Sequence, residues 1–579
     1  MAKCEFRSLP NQKEAAKRSA TTPRFVDDRS VPENLKIFAK GRSYFIRTYG
    51  CQANIRDEEI FAGYLEKAGF VKAESAEEAN VVVINTCAVR ENAEEKIYGE
   101  IGLCKANKDK DPDFLLILAG CVMGENGVAE KLEKTYPYIS LIIGTHDVAN
   151  LLPLLSEVIS KRKAIVDVRS FAGEVVENLP SVRLSSFEAF VNISYGCDKF
   201  CTYCIVPYTR GRERSRYPSD ILKECQDLVK HGFKQITLLG QNVNSYGLDL
   251  RDGTTFASLL ESVAKLGMPR LRFLTSYPSQ FTHEMIMVMA RYPNIVPWLH
   301  FPVQSGSTSC LKRMGRRYTR EDYLALVKEL KTALPSLALT TDIIVGFPGE
   351  TEEEFADTLS LCEEVRYSAA FTFLYSPRVG TPAANMEQVP DPVKHERFDR
   401  LKALIEKTTS EYSESMVGKT YEVLVEGPSK KNDDVLSSYA SNGKLINFKG
   451  PAYLTGCLVP VKVVESHTYS LLGELQEDPL ILKAKDVAFL MSKDPLLAEY
   501  LRLDETIRRD PAIKQLGEDL VESKKKMCRE MGDKARYEDD KKAYEALLEK
   551  IKTHPLLQNR EALMSQVEEE LLQARDALK

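Results

Sequence analysis

The chain reads as an α/β protein of several domains: a doubly wound N-terminal domain, a partial (βα)6 barrel, a small antiparallel β domain and a C-terminal helical domain. Three observations predict this. Short apolar runs alternate with amphipathic stretches through residues 43–155 and again through 185–400, the pattern of parallel strands joined by helices. Residues 420–472 switch to short Val-, Tyr-, Leu- and Thr-containing runs broken by Gly427-Pro428, Asn432-Asp433, Asn442-Gly443 and Gly450-Pro451, the punctuation of antiparallel strands. Beyond about residue 480 helix formers and charges take over, with glycine only at 517 and 532.

Length and composition fit this division. At roughly 100–200 residues per domain, 579 residues predict three to five domains. With 79 Lys and Arg against 84 Asp and Glu, the formal charge is −5. A histone-like or polybasic protein is thereby excluded, and any nucleic-acid contact has to come from local patches. The 43% hydrophobic and 28% charged residues are ordinary for globular domains. No apolar run approaches the roughly 18–20 residues that span a bilayer, and the polar first thirty residues lack a secretory core. Thirteen cysteines, an odd number without such a signal, point to a reducing, cytoplasmic compartment and to thiolates used as ligands.

Taken in order, residues 1–41 read as a disordered extension, since they carry Lys, Arg, Ser and Thr with few large apolar residues. The first α/β domain is expected at 42–158. Its strands are Ser43–Tyr49, Asn80–Asn85, Phe114–Ala119 and Ile139–Ile143; its helices are Asp57–Ala68, Asn92–Asn107, Asn126–Lys134 and Asp147–Leu155. Residues 156–184 form a connector. The barrel, at 183–415, has strands at Ala189–Ser194, Gln235–Leu239, Arg270–Thr275, Trp298–Phe301, Leu339–Val345 and Ala370–Tyr375, with helices such as Ser219–Gly232, Thr319–Leu334 and Glu352–Val365 between them. A connecting helix at 401–418 leads to the β domain at 418–481. Helical periodicity, as in Ala543, Leu547, Leu548 and Ile551, fills 483–579 with a hairpin or small bundle.

The sharpest chemical signal is Cys197-Asp198-Lys199-Phe200-Cys201-Thr202-Tyr203-Cys204. Three thiolates at this spacing fit one loop and can hold three irons of a [4Fe–4S] cluster, leaving the fourth open to a chelating substrate. A zinc knuckle would need a fourth Cys or His nearby; the next histidine, His231, falls in an apparent helix. A second set is Cys51, Cys87 and Cys121, spaced by 36 and 34 residues. Each follows a strand through a small or polar turn: Tyr49-Gly50-Cys51, Asn85-Thr86-Cys87 and Ala119-Gly120-Cys121. Because ligands in such sheets sit beyond the carboxyl ends of the strands, the three converge on one edge. The competing reading is three unrelated buried cysteines packed as small hydrophobes.

The first motif resembles that of the radical S-adenosylmethionine (SAM) superfamily. Together with Thr48-Tyr49-Gly50-Cys51-Gln52-Ala53-Asn54, Asn85-Thr86-Cys87-Ala88-Val89-Arg90-Glu91-Asn92-Ala93 and Gly196–Glu213, it resembles the methylthiotransferases over about residues 42–480. In this resemblance an N-terminal methylthiotransferase domain, a radical SAM core and a TRAM domain follow in order. The flanks Tyr-Gly-Cys-Gln and Cys-Ala-Val-Arg-Glu-Asn resemble the branch acting on N6-isopentenyladenosine at tRNA position 37; Ala53, where the family more often has Met, is a departure. The resemblance implies a radical-generating cluster on Cys197, Cys201 and Cys204, an auxiliary [4Fe–4S] cluster on Cys51, Cys87 and Cys121, and two SAM per product. One SAM methylates sulfur on the auxiliary cluster; the other yields a 5′-deoxyadenosyl radical that takes hydrogen from C2 of the adenine. Implied partners are the tRNA anticodon stem-loop and a small electron-transfer protein such as flavodoxin or ferredoxin, with no membrane and a monomeric chain. Rival readings are action on threonylcarbamoyl-adenosine tRNA or on a ribosomal protein, and a non-catalytic iron–sulfur RNA-binding protein.

Weaker features complete the expected site. Tyr203 in the cluster loop, Gln241 and Asn242 after one barrel strand, Gln304 after another, and Asp342 with Gly346 around a third are expected near SAM; caps and structural pairs compete with that reading. Arg210, Arg212, Arg214 and Arg216 alternate after the cluster loop and are expected to meet substrate phosphate, against a salt-bridged strand face; Arg316 and Arg317 are similar. Tyr421, Asn442, Asn447 and Phe448 are candidates for RNA bases or for packing. The pattern from Asp494-Pro495-Leu496 through Leu556-Leu557-Gln558 loosely resembles YlbF/YmcA-type helical domains, which implies a role in interaction or self-association.

Overall fold

A computed structural model describes residues 24–88, 91–125, 127–168, 175–430, 432–476, 489, 491, 493–529 and 534–577. They fall into two compact units, Met1–Gln476 and Glu477–Lys579. Among the described residues no helix is long and apolar enough to cross a membrane.

The first unit begins with β1 (Arg24–Val26), α1 (Glu33–Ala39), β2 (Ser43–Tyr49), α2 (Gln52–Ala68), β3 (Val71–Lys72), β4 (Val81–Thr86), α3 (Glu91–Lys110), β5 (Leu115–Gly120), α4 (Val128–Thr135), β6 (Leu141–Ile143), α5 (Leu151–Lys161), β7 (Ile165–Asp167) and β8 (Val175–Glu177). Six of these strands form a parallel sheet in the order β3-β2-β4-β5-β6-β7. Strands β4 and β5 are buried along their whole length, which is why they read as unbroken apolar runs rather than as alternations. Val82, Ile84, Leu116 and Leu118 pack beneath Ile97 and Ile101 on one face. Val81, Val83 and Ile117 meet Phe61, Leu65 and Leu155 on the other.

Two boundaries expected from the sequence are corrected. Residues 24–41 are not a disordered extension: β1 pairs in parallel with β8, α1 buries Leu35 and Ala39, and the buried Asp27 accepts a hydrogen bond from Tyr64 Oη at 2.8 Å. The segment is polar on average, yet Leu35, Phe38 and Ala39 share one side of a short helix that Val31 leads into, and that side is enough to dock it. Residues 1–23, with Cys4, lie outside the described residues. The connector is also structured, because β7 adds a sixth strand to the sheet. Three residues are too short a run to show a period.

The barrel follows: β9 (Glu188–Asn192), β10 (Ser194–Tyr195), α6 (Val206–Thr209), β11 (Arg214–Ser215), α7 (Pro218–Lys230), β12 (Gln235–Leu239), α8 (Phe256–Ala264), β13 (Arg270–Phe273), α9 (His283–Arg291), β14 (Trp298–His300), α10 (Thr308–Arg313), α11 (Arg320–Ala333), β15 (Ala338–Val345), α12 (Glu352–Val365) and β16 (Ala369–Leu374). The parallel strands pair as β13-β12-β9 and β14-β15-β16, and a bridge between Leu271 and Ile295 joins the halves. This is the open six-stranded barrel expected, with Val191, Leu238, Phe273, Leu299, Ile343 and Val345 buried in its core.

Helix α13 (Asp391–Glu414) starts ten residues before the expected connecting helix and leads to β17 (Thr420–Ser429), β18 (Asn432–Ala440), β19 (Leu445–Lys449), β20 (Leu458–Ser466) and β21 (Leu471–Leu475). These close into a barrel in the order β17-β18-β19-β21-β20 around Val423, Val425, Leu436, Ile446, Val459, Val461 and Val463. Arg270, at the start of β13, donates to the Tyr439 carbonyl at 2.7 Å, and Gly443 lies against Trp298 at the start of β14. The β domain is therefore seated at the amino ends of the large barrel's strands, away from the cysteine loops.

The second unit has α14 (Pro495–Arg509), α15 (Pro511–Arg529), α16 (Lys534–Lys552) and α17 (Pro555–Ala577). Asp494 caps α14 by accepting from the Leu497 amide at 2.9 Å. Helix α15 runs against α16 and α14 against α17, and Ile507 and Leu563 are buried.

Candidate functional site: two cysteine triads

Cys51, Cys87 and Cys121 each follow the last residue or two of β2, β4 and β5. Those strands are neighbours in register, with Tyr49 opposite Thr86 and Thr86 opposite Gly120. The three thiols therefore stand side by side on one carboxyl edge, as the strand-end argument requires. Gly120 takes φ +104°, and a Cβ there would come within 2.2 Å of the Thr86 carbonyl oxygen; only glycine lets the chain turn so tightly before Cys121. Asn54 ties two of the turns together. Its amide donates to Asn85 Oδ1 at 3.2 Å and to the Thr86 carbonyl at 3.1 Å, while Asn85 Nδ2 donates back to the Asn54 carbonyl at 2.8 Å. A hydrogen bond from Cys87 and the charge of Arg210 outweigh burial and bring the Cys51 thiol down to about 5. Cys121 is pushed up by burial, which Arg210 opposes. Val89 and Arg90 of the Cys87 motif lie outside the described residues.

Cys197, Cys201 and Cys204 lie on the loop after β10. Gly196 turns the chain at φ +72°, where a Cβ would meet the Arg212 carbonyl at 2.1 Å, and Phe200 is also left-handed at φ +48°. Backbone bonds fold the loop on itself: Cys204 to Cys201 at 3.0 Å, Cys197 to Gly211 at 3.1 Å, and Thr202 to Met314 at 2.9 Å. Burial together with neighbouring negative charge pushes Cys197 well up and Cys204 to about 12. Cys197 and Cys204 cannot ionise together here without a cation, and a metal cluster supplies one: coordination deprotonates a thiol outright. Both donor sets fit a [4Fe–4S] cluster. Among the described residues no three His, Cys, Asp or Glu side chains close around a single metal ion; cysteines of a four-iron cube each bind a different iron.

The side chains expected near SAM are mostly at the carboxyl ends of the barrel strands. Tyr203 is held by Arg316, whose Nη1 donates to its hydroxyl at 3.2 Å, and its ring meets Phe347 edge-on. Gln241 is half-buried just after β12. Asn242 is buried and donates to Gln280 at 3.1 Å. Gln304, at φ +70°, joins β15 through its backbone, donating to Asp342 at 2.9 Å and accepting from Ile344 at 3.0 Å. Gly346 lies against the Lys394 stem and donates to Glu350 Oε2 at 2.9 Å. Asp342 departs from the rest: it sits within β15 and faces His300 Nε2 at 3.3 Å, a pairing inside the barrel. The sequence reading missed Ser194, Ser276 and Tyr375. Their hydroxyl oxygens and Asn242 Oδ1 are buried without hydrogen-bond partners among the described residues, and each lies just past a strand of the barrel. Such groups fit a polar ligand like SAM, since buried polar atoms demand partners. The strand-end rule that located the cysteines would have found them.

The arginine series is a correction. Arg210 is buried, donating through Nε to Cys121 Sγ at 3.0 Å and through Nη2 to Asp57 at 3.1 Å. Arg212 clasps Asp198 with two bonds of 2.6 and 2.8 Å. Arg214 is buried and donates to the carbonyl of Arg210 at 3.3 Å. Arg216 pairs with Glu177 and Glu224. Arg210 and Arg216 point into the joint between the two α/β domains, while Arg212 and Arg214 brace the cluster loop from within, so the alternation is a set of internal braces and not a phosphate-binding stripe. Arg316 is likewise buried, bonded to Tyr203 and to the Pro302 carbonyl. In the β domain Phe448 is a core residue and Asn442 bonds Tyr412, so both serve packing. Cys104, Cys225, Cys310 and Cys362 are buried, and Cys528 is exposed, as ordinary thiols.

A partial six-stranded barrel that carries three cysteines on the loop after its first strand is the architecture of a radical SAM protein. Comparison with known proteins agrees. The Radical SAM superfamily matches residues 191–362, Uncharacterized protein family UPF0004 matches 43–144, and the TRAM domain matches 414–476. The tRNA-2-methylthio-N(6)-dimethylallyladenosine synthase of Geobacillus kaustophilus (strain HTA426) is 50% identical over 473 residues, covering 81% of this chain and 89% of that protein. The protein of the same name from Bacillus subtilis (strain 168) is 47% identical over 476 residues, covering 82% and 94%. The chain belongs to the tRNA-2-methylthio-N(6)-dimethylallyladenosine synthase family of radical SAM enzymes.

Proposed function

We propose that this chain adds a methylthio group to C2 of N6-isopentenyladenosine (dimethylallyladenosine) at position 37 of tRNA. The observation that carries this reading is the presence of two separate cysteine triads, one at the edge of the six-stranded sheet and one on a loop of the barrel. Cleaving SAM to the radical needs only the first, so the second triad offers a second cluster for a further step such as sulfur insertion. Cys197, Cys201 and Cys204 would hold the radical-generating cluster and Cys51, Cys87 and Cys121 the auxiliary one. When bound, the first cluster supplies the electron that cleaves SAM, and the second takes part in sulfur insertion. Ser194, Asn242, Ser276 and Tyr375 offer unpaired polar atoms to SAM, and Tyr203 with Phe347 closes the site behind the cluster loop. The TRAM domain takes the anticodon stem-loop, and a small electron-transfer protein such as flavodoxin or ferredoxin delivers electrons to a monomeric, cytoplasmic enzyme. The domain limits adopted are 24–168, 175–415 and 418–476, followed by the helical unit.

The test is nucleoside mass spectrometry of tRNA incubated with the anaerobically reconstituted protein, SAM and a reductant. Isopentenylated and threonylcarbamoylated tRNAs are offered side by side. A methylthio mass gain on the isopentenyl nucleoside alone is expected. A gain on the threonylcarbamoyl form alone would overturn the substrate, and no deoxyadenosine release would overturn the enzyme.

A further inference from the structure

The loop that follows the radical-site cysteines does not end at that site. Cys204 leads into Ile205 and α6, and both Ile205 and Tyr208 are buried in the core of the N-terminal domain. Thr209 is in contact with Gly124, three residues beyond Cys121, and its carbonyl accepts from Thr145 Oγ1 at 2.8 Å. The next residue, Arg210, then reaches Cys121 of the other triad at 3.0 Å, with Asp57 bracing the far side of its guanidinium at 3.1 Å. Its side chain and that of Asp57 are each 10% exposed. A fixed cation has thus been carried by the radical-site loop to a sulfur of the auxiliary site.

We propose that Arg210 is a positioning residue for the auxiliary cluster. It fixes the Cys121 sulfur, sets the reduction potential of that cluster, and holds it in register with Cys204 through one short stretch of backbone. The role rests on the assignment of Cys51, Cys87 and Cys121 as that cluster's ligands. The physical basis is general. Hydrogen bonds to ligand sulfurs and nearby positive charge favour the more negative, reduced form of an iron–sulfur cluster and so raise its potential. The charge on Arg210 is tempered by Asp57, so the two residues act with opposite sign.

The opposite signs define the experiment. The full chain with Cys197→Ala, Cys201→Ala and Cys204→Ala together is reconstituted with iron and sulfide, leaving only the auxiliary cluster, and its potential is read by electron paramagnetic resonance during a redox titration. Arg210→Met is expected to move the potential down, Arg210→Lys to move it down less, and Asp57→Asn to move it up. Iron release to a chelator is expected to quicken in Arg210→Met. A merely structural Arg210–Asp57 pair would loosen the site alike in both variants. Shifts of one sign for Arg210→Met and Asp57→Asn, or no shift in either, would therefore overturn the proposal. If Arg210→Met does not fold, Arg210→Lys against Asp57→Asn makes the same comparison. A parent chain that binds no iron would overturn the ligand assignment itself, and this role with it.

Discussion

The radical-site cysteines come from one loop, residues 197–204, whereas the auxiliary cysteines are spaced by 36 and 34 residues and meet only when β2, β4 and β5 lie side by side. The first site is held by turns inside the loop and by a few bonds to its surroundings. The second is held by the register of a buried parallel sheet. Local sites of the first kind can open without unfolding the protein, while sites of the second kind stand or fall with the sheet. Electrostatics differ in the same sense. The sheet-edge site already has a cation, Arg210, and one thiol drawn down to about 5; the loop site has Cys197 and Cys204 pushed up and depends on iron for its positive charge.

Removing either triad gives the largest effect and separates the two sites. Cys197→Ala, Cys201→Ala and Cys204→Ala together should halve the iron per chain and abolish deoxyadenosine release. Cys51→Ala, Cys87→Ala and Cys121→Ala should also halve the iron, yet leave deoxyadenosine release in place while methylthio transfer falls to background. Iron analysis and product chromatography check both. Loss of both clusters in either variant would mean that the sites are not independent.

Two glycines test whether the sites differ in mechanical coupling. Gly120→Ala puts a methyl against the Thr86 carbonyl in the middle of the sheet edge, so roughly 3–5 kcal/mol of global stability should go with the auxiliary iron. Gly196→Ala is as crowded against Arg212, but its loop can shift. A cost of roughly 1–3 kcal/mol is expected, with the radical-site iron lost selectively. Denaturant unfolding of the two variants, with iron counted, decides.

How each site could be read from the chain follows from the same contrast. The loop triad is legible as a spacing. The sheet triad is illegible as a spacing and becomes legible only after β2, β4 and β5 are recognised as parallel strands, because topology converts distant residues into neighbours. Arg210 escaped that logic. Its alternation with Arg212, Arg214 and Arg216 looks the same whether the side chains face solvent or a domain joint, and only the docking of the two domains reveals Asp57 and Cys121 as its partners. The short strands β1 and β7 escaped because three residues carry no period.

The joint itself makes a smaller, pH-dependent prediction. Glu224 on α7 pairs with Arg56 on α2 at 3.1 Å, Arg183 at 2.6 Å and Arg216 at 2.7 Å. Burial pushes its carboxyl up, but Arg216, Arg56 and Arg183 outweigh burial and hold it at about 2, against an ordinary value of 4.5. A folded value below the unfolded one means stabilisation that is complete above about pH 4.5 and lost as pH falls towards 2. It amounts to something on the order of 3 kcal/mol. Melting of the iron-free protein should weaken through that window. Glu224→Gln should lower the melting temperature at pH 7 and flatten the acid limb; an unchanged acid limb would place the acid sensitivity elsewhere.

The smallest expected effect lies in the loop site and is the most telling about it. Arg212 and Asp198 form a two-bonded pair, and Asp198 Oδ1 also accepts from the Glu213 amide at 3.0 Å. These bonds join the start of the cysteine loop to the strand that leaves it, so they fix the mouth of the loop rather than its cysteines. The side chains are 27% and 33% exposed, so the ion pair is screened and the backbone bond contributes as much. Asp198→Ala should therefore cost only about 1–2 kcal/mol globally. The pairing of β10 with β11 and the bond from the Cys197 amide to the Gly211 carbonyl also close the mouth of the loop, so the substitution loosens the loop without freeing it, and local opening should rise by more than global unfolding. Iron from the radical site should leave to a chelator severalfold faster, with auxiliary iron unchanged and the melting temperature within a few degrees of the parent. Asp198→Asn, which keeps an acceptor for Glu213, should fall between. If both irons were lost at the same increased rate, the loop would not be an independently opening unit, and the contrast between a local and a sheet-built site would fail.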